Sequence, residues 1–326
     1  MSFVASQIAG FDVPYRDYAN SDVLRGNREF VMSRGELFKF VECPAKWIAG
    51  SGEDEESDAL TWGTAIDVLG PHPERFSELY AVAPATYKNE KGEEKPWNWN
   101  AKVCQAWRDG QGEKTVIKND LQSRLIAALK VLRESDVQPL IECSKTQVHV
   151  VGQWRDMATG LTIPVQCLID LVPDKENSQW GRRLCNFKTA RCGDPDTFPR
   201  VIEDYGYDVG AALDTDLYIA ATGEDRTDYV FAVQENIPPY HVTSPLMALT
   251  TEFIEYGRVK YRIALREYAQ CLATNKWPSY PTGDRLVYGD LQFLDPKALF
   301  KYRESGGVPA ERTPIETTRE NFDVIP

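Results

Sequence analysis

Apolar residues recur at helical spacing along 116–132, at Ile117, Leu121, Leu125, Ala128, Leu129 and Leu132, and this pattern predicts an amphipathic helix. Upstream, Ser33 and Glu36 stand at capping-box spacing before an apolar stripe of Leu37, Phe40 and Val41 that Pro44 interrupts, which reads as a short buried helix. The stretch WGTAIDVLG follows an acidic loop, and its Gly63, Thr64 and Ala65 suit a helix packed close to its neighbour and carrying Asp67. The period then changes. Segments at 147–154, 161–172 and 184–187 are rich in Val, Ile and Leu and read as strands, with RDMATG turning between the first two. A helix of small residues, GAALDTDLYIAAT, a strand DYVFAVQE, a second strand near HVTS and a long helix over 247–274 complete the series. The expected fold is α/β, a central mixed sheet flanked by helices. Residues 1–32 are polar and mixed and read as an N-terminal arm, about 82–114 as a loop insertion within a domain at 33–280, and 281–326 as a tail packed on that domain.

Composition narrows the possibilities. With 326 residues, 42% of them hydrophobic, the chain can bury a substantial core. A net charge of -12 argues against coating nucleic acid through bulk positive charge, so any DNA contact is expected to be local. Arg182, Arg183, Lys188, Arg191 and Arg200 form one basic cluster; Arg258, Lys260, Arg262 and Arg266 form another, which reads equally as a solvated helix face. Seven cysteines without CxxC spacing point to reduced thiols, a cytoplasmic location and no zinc site. No basic, apolar leader opens the chain and no run approaches a membrane span, so no membrane partner is expected. His72, His149 and His241 fit neither a Ser/His/Asp context nor HExxH spacing, and no P-loop or GxGxxG is present.

The candidate chemistry lies in IPVQCLIDLVPD, which carries Asp170 within an apolar segment, and RRLCNFKTA, which follows a polar turn. A charge in a buried strand is costly without a partner, so Asp170 reads as a metal ligand, or alternatively as half of a structural salt bridge. An aspartate on one strand and an acid-x-lysine triplet on the next would set two carboxylates and an ammonium around a divalent cation that polarises a phosphate and activates water. Here the triplet is Asn186, Phe187 and Lys188, an amide replacing the acid.

In order from Ser33 to Tyr280, the stretches SRGELFKFVECPAKW, WGTAIDVL, GLTIPVQCLIDLVPD, LCNFKTARCGDPDTF, YGYDVGAALDTDLY, VQENIPPYHV and YRIALREYAQCLATNKWPSY resemble the RecE-type exonucleases (exonuclease VIII) of the PD-(D/E)XK superfamily. The resemblance implies a restriction-endonuclease-like core and a phage or prophage-type recombination exonuclease, which degrades one strand of duplex DNA from an end with Mg2+ (or Mn2+). It further implies single strands handed to an annealing protein and a homo-oligomeric ring around DNA. By the same resemblance Asp67, Asp170 and Asn186 surround the metal, the Phe187 carbonyl adds a ligand and Lys188 positions water. Arg182, Arg191, Arg200 and Tyr207 would face DNA.

The chain departs from the family's pattern at several positions. Asp67 stands where a histidine is usual, Gln147 where a strand glutamate is usual, Gly210 replaces a glutamine and Asp214 a tyrosine. Two readings stay open: a carboxylate relocated to Asp214, beyond the space left by Gly210, completes a working site, or the fold has lost turnover and binds DNA or a protein partner. A related branch holds an iron–sulfur cluster with one early and three late cysteines; Cys43 is placed as the early ligand, but Cys271 is the only late one, so no cluster is expected. Trp97, Trp99 and Trp107 would either stack on an unpaired strand or pack within their loop.

Overall fold

The structure is a computed structural model that describes residues 3–12, 23–50, 58–226, 228–279, 287–288 and 291–292. Six strands build the main sheet: β1 (Phe3–Gly10), β2 (Ser144–Arg155), β3 (Thr162–Pro173), β4 (Arg183–Ala190), β5 (Asp228–Glu235) and β6 (Met247–Ala248). They lie side by side in chain order. All neighbours are antiparallel except β4 and β5, which run parallel over their full lengths and are joined by a helical crossover. The helices that matter for the site are α1 (Arg34–Glu42), α2 (Asp58–Leu69), α3 (Asn119–Arg133), α4 (Tyr207–Thr222) and α5 (Thr251–Thr274). Among the described residues no helix is long and apolar enough to cross a membrane.

Both faces of the sheet are covered. On one face Leu37 and Phe40 of α1, Leu213 and Leu217 of α4, and Tyr261 and Leu265 of α5 pack on Val148, Val165, Leu184 and Phe231. On the other, Ile66 and Leu69 of α2 and Leu125 and Leu129 of α3 pack on Leu171, Cys185, Phe187 and Val230. Burial on two sides accounts for the unbroken apolar run Tyr229–Val233, which a strand with one wet face would not carry.

Local physics sets the ends and crossings of the helices. Ser33 caps α1 by accepting from the Glu36 amide at 3.3 Å. The Glu36 carboxylate does not reach back, as a full capping box would; it takes the Trp47 Nε1 proton at 2.7 Å and pairs with Arg25. The α4–α5 crossing is so close that a Cβ on Gly257 would stand 2.1 Å from the Asp208 carbonyl oxygen.

Three expectations change. Phe3–Gly10, placed by its polar text in a free arm, is an edge strand paired antiparallel with β2, with Ser6 Oγ donating to the Leu217 carbonyl at 3.0 Å. The supposed loop at 82–114 is organised: Tyr80–Val82 and Thr115–Ile117 pair in parallel at its base, and it carries a hairpin (Thr86–Lys88 with Glu94–Pro96) and a helix (Lys102–Asp109). Too few apolar residues in each short piece obscured it. The long last helix starts at Thr251, capped by Thr250, because Met247 and Ala248 extend the sheet instead; near HVTS only a bridge from Val242 to Gln234 forms. Residues 280–326 form a second unit, of which the hairpin Val287–Tyr288 with Leu291–Gln292 is described. The expected packing of that tail lies outside the described residues.

Candidate active site

β3 and β4 are bridged at one described pair, Leu171 with Cys185. Next to this point the Asp170 carboxylate enters the seam and accepts the Phe187 amide at 2.8 Å, in place of a ladder carbonyl. Gln147 on β2, held at a positive φ of 45°, gives its Nε2 proton to the other carboxylate oxygen at 3.4 Å. Lys188 Nζ lies 3.8 Å from Asp170 Oδ2, donates to the Phe187 carbonyl at 2.9 Å and is hydrogen bonded to Asn186 Oδ1. Asp170, Asn186 and Lys188 therefore converge, within the range over which charges couple strongly.

From the opposite face α2 supplies Asp67. Small residues let the helix approach, and a Cβ on Gly63 would already stand 3.4 Å from Thr189 Oγ1 on β4. Asp67 is partly exposed as a residue, yet its Oδ1 is buried and has no hydrogen-bond partner. Burial first, and the Asp170 charge second, hold Asp67 well above the usual carboxylate range, with Lys188 opposing. Burial also raises Asp170, against the pull of Lys188, the Phe187 amide, Gln147 and Arg34. Two desolvated carboxylates that repel each other, one with an orphaned oxygen, fit the ligand set of a divalent cation. With Asn186 Oδ1 and the Phe187 carbonyl the nearby donors are all oxygen, which suits Mg2+, an ion commonly held by one or two carboxylates and water. Among the described residues no three His, Cys, Asp or Glu side chains come together to hold a metal, so Asp67, Asp170 and Asp214 do not form a carboxylate triad.

Asp214 takes a different place. Asn186 Nδ2 donates to Tyr229 Oη at 3.1 Å, and Tyr229 donates to Asp214 Oδ2 at 2.6 Å. Protons thus point one way, from Lys188 through Asn186 and Tyr229 to Asp214. Burial pushes Asp214 up to about 7, against the Tyr229 bond, and burial followed by the Asp214 charge holds the Tyr229 hydroxyl well above its usual value. Asp214, which one of the two open readings relocates into the metal site, stands one phenol behind Asn186. Nor does Gly210 leave open space, since a Cβ there would meet Arg34 Cδ at 3.2 Å. Arg34 and Tyr229 were invisible as site residues in the sequence, one among surface-like charges and the other in a run that reads as core; Gln147, which the resemblance sets at the place of a strand glutamate, lies against Asp170.

At the rim the Tyr207 ring receives Lys188 Nζ at 5.2 Å and the Arg34 guanidinium at 5.5 Å from its centroid. Arg191 and Arg200 are exposed and follow the Lys188 end of β4 in the chain. Arg182 precedes its other end, roughly 20 Å from Lys188 at about 3.3 Å per residue, so it does not adjoin the end of the strand that Arg191 and Arg200 follow. In the second basic cluster Arg258 and Arg262 pair with Asp216, and Lys260 with Asp208. These acids of α4 bind the crossing helices together. Trp97, Trp99 and Trp107 pack edge to face on one another, with Trp97 5.7 and 5.3 Å from the other two.

Comparison with known proteins places this arrangement. No curated protein sequence is significantly similar to the chain. Among solved structures it is similar to a crystal structure described as "Putative exonuclease" from Eubacterium rectale, with a TM-score of 0.50 and 13% identity over 86% of this chain and 97% of that one. A second, described as SSO0001, matches with a TM-score of 0.25 and 10% identity over 70% of this chain and 84% of that one. The first likeness shows the fold, an α/β architecture with a central mixed sheet between helices. The model of the family described as PDDEXK-like domain of unknown function (DUF3799) matches residues 33–284, and the chain belongs to that family.

Proposed function

We propose that the protein is a divalent-metal-dependent deoxyribonuclease of the RecE type that hydrolyses phosphodiesters from duplex ends. The observation that carries this is the orphaned, buried Asp67 Oδ1 on a carboxylate acted on by the charges of Asp170 and Lys188. Asp67 and Asp170 would hold Mg2+ or Mn2+, with the Asn186 and Phe187 oxygens as neutral donors. When bound, the cation supplies charge to the scissile phosphate and acidifies water. Lys188 holds the attacking water or a phosphate oxygen, and Asn186, fixed by Tyr229, keeps its carbonyl toward that ammonium. Water adds to phosphorus as a P–O ester bond breaks; one proton leaves to solvent and the departing oxygen takes one up. A role in phage-type recombination, with single strands passed to an annealing protein by a ring of copies, completes the reading.

One observation favours a second reading, a binding module without turnover: Lys188 already sits on both neutral donors, the Asn186 amide oxygen and the Phe187 carbonyl. Linear and circular duplex DNA incubated with Mg2+ or Mn2+ separates the two. The nuclease reading expects loss of linear DNA by the parent, and at least about a hundredfold less in Asp170→Asn and Lys188→Ala. Cleavage unaltered in both variants, or none in the parent with either metal, refutes it.

A further inference from the structure

Beside the carboxylate centre, but not part of it, lies a patch of aromatic rings on the surface. Tyr205 and Phe38 are large side chains left 57% and 44% exposed. Gly206 lies between Tyr205 and Tyr207 in the left-handed region, φ 62°, and the reversal stacks the two phenols, 5.7 Å apart at 21°. The Phe38 ring lies over that turn so closely that a Cβ on Gly206 would stand 2.9 Å from its Cδ2. Arg34, one helical turn before Phe38 on α1, reaches between them: Nη1 donates to the Tyr205 carbonyl at 2.9 Å and the guanidinium faces the Tyr207 ring. Tyr207 carries Lys188 as its other cation. The rings thus form a path from solvent to the Lys188 ammonium, with a guanidinium alongside.

What sets the Tyr205 and Phe38 rings apart from the other exposed apolar side chains is that they adjoin Tyr207, Arg34 and, through Tyr207, Lys188. Flat π-faces alternating with cations match one ligand chemistry well: unpaired nucleotides, whose bases stack on aromatic rings while phosphates pair with Arg and Lys. A duplex offers no such base faces except at its ends. We propose that Phe38, Tyr205, Tyr207 and Arg34 form a stacking platform for unpaired deoxynucleotides of the strand that runs to the Asp170–Lys188 centre. The platform rests on the nuclease reading, and names the form of DNA which that site takes.

The test uses the full chain at low salt in EDTA, so that the strand stays intact, with a short single-stranded deoxyoligonucleotide carrying terminal 2-aminopurine, whose fluorescence is quenched on stacking. The parent should quench the probe. Tyr205→Ala and Phe38→Ala, changes at exposed rings, should each weaken binding about fivefold to a hundredfold and relieve the quenching, whereas Tyr205→Trp, with its larger face, should retain both. A parent that cleaves duplex ends yet binds the probe no better than the alanine variants overturns the platform and leaves the nuclease reading standing; a parent that neither binds the probe nor cleaves overturns both. If Tyr205→Ala leaves DNA affinity intact but lowers the sedimenting mass, the patch is a contact between copies of the chain, and the platform is again wrong.

Discussion

Replacing Asn186 by aspartate puts the strongest load on this reading of the site. The amide now gives a proton to Tyr229 Oη at 3.1 Å while Tyr229 gives its own to Asp214 at 2.6 Å. In Asn186→Asp two carboxylates face one phenol proton, so one of these bonds is lost unless a carboxyl protonates. On the other side the new charge lies against Lys188 Nζ, which is 3.8 Å from Asp170. Unit charges about 4 Å apart interact by about 4 kcal/mol at an effective dielectric near 20, so the Lys188 ammonium offsets much of the cost of a charge at this position. What remains is the broken hydrogen bond, about 1–3 kcal/mol for a buried group left unsatisfied. The variant should therefore be less stable than the parent by that amount in EDTA at pH 7.5. Divalent cation reverses the order of effects, because a third carboxylate joins Asp67 and Asp170. A tenfold tighter Kd adds about 1.4 kcal/mol to the metal-linked stabilisation, or roughly 2–4 °C in Tm for a domain of this size class. Thermal unfolding of parent and variant in EDTA, Mg2+ and Mn2+, with calorimetric titration of each metal, measures both. A variant as stable as the parent in EDTA that gains no more from metal would refute the relay and the metal centre together.

The relay also sets a pH dependence. The unfolded Asp214 ionises near 3.8 and the folded one at about 7, so the folded chain binds the extra proton; the cost of ionising it is absent below pH 4 and complete above pH 7, up to about 4 kcal/mol. The Tm difference between Asp214→Asn and the parent should rise steadily from pH 4 to 7 in EDTA, and a flat difference contradicts the buried-acid assignment. Tyr229→Phe removes the donor to Asp214 and the acceptor of Asn186, and should cost about 1–3 kcal/mol in urea unfolding while weakening Mn2+ binding; unchanged metal affinity would mean that Asn186 needs no anchor. Gly257→Ala forces the α4–α5 crossing apart and should destabilise by about 1–3 kcal/mol or more, with a lower urea midpoint as the readout.

Periodicity made the long elements legible. Leu121, Leu125 and Leu129 announced α3, the Val and Ile residues around Asp170 announced β3, and the stretch from Leu184 to Phe187 announced β4. Phe3 and Ile8, the large apolar residues of β1 that pack on the core, were too short a signal among polar neighbours, since an edge strand needs only one dry face. Asp170 and Lys188 stood out because charged residues within apolar strands are costly to bury. Tyr229 gave no such sign; in a strand buried on both faces a tyrosine looks like any other large core residue until its hydroxyl finds Asp214. Arg34 was hidden for the opposite reason, as a charge near a helix start resembles ordinary surface until the missing side chain at Gly210, 176 positions later, makes room for it.

The single bridge between Leu171 and Cys185 gives the sheet a mechanical character. On one side β1, β2 and β3 are laced continuously, on the other β4, β5 and β6, and between these two ribbons the Asp170 carboxylate on the Phe187 amide acts as a weld. Asp170 and Lys188 belong to different ribbons, so the gap that chemistry requires is also the gap that a twist of one ribbon against the other opens or closes. A cation bridging that seam would clamp the halves as well as serve the reaction, and anything that strains the outer strands would be felt first at the distance between one carboxylate and one ammonium.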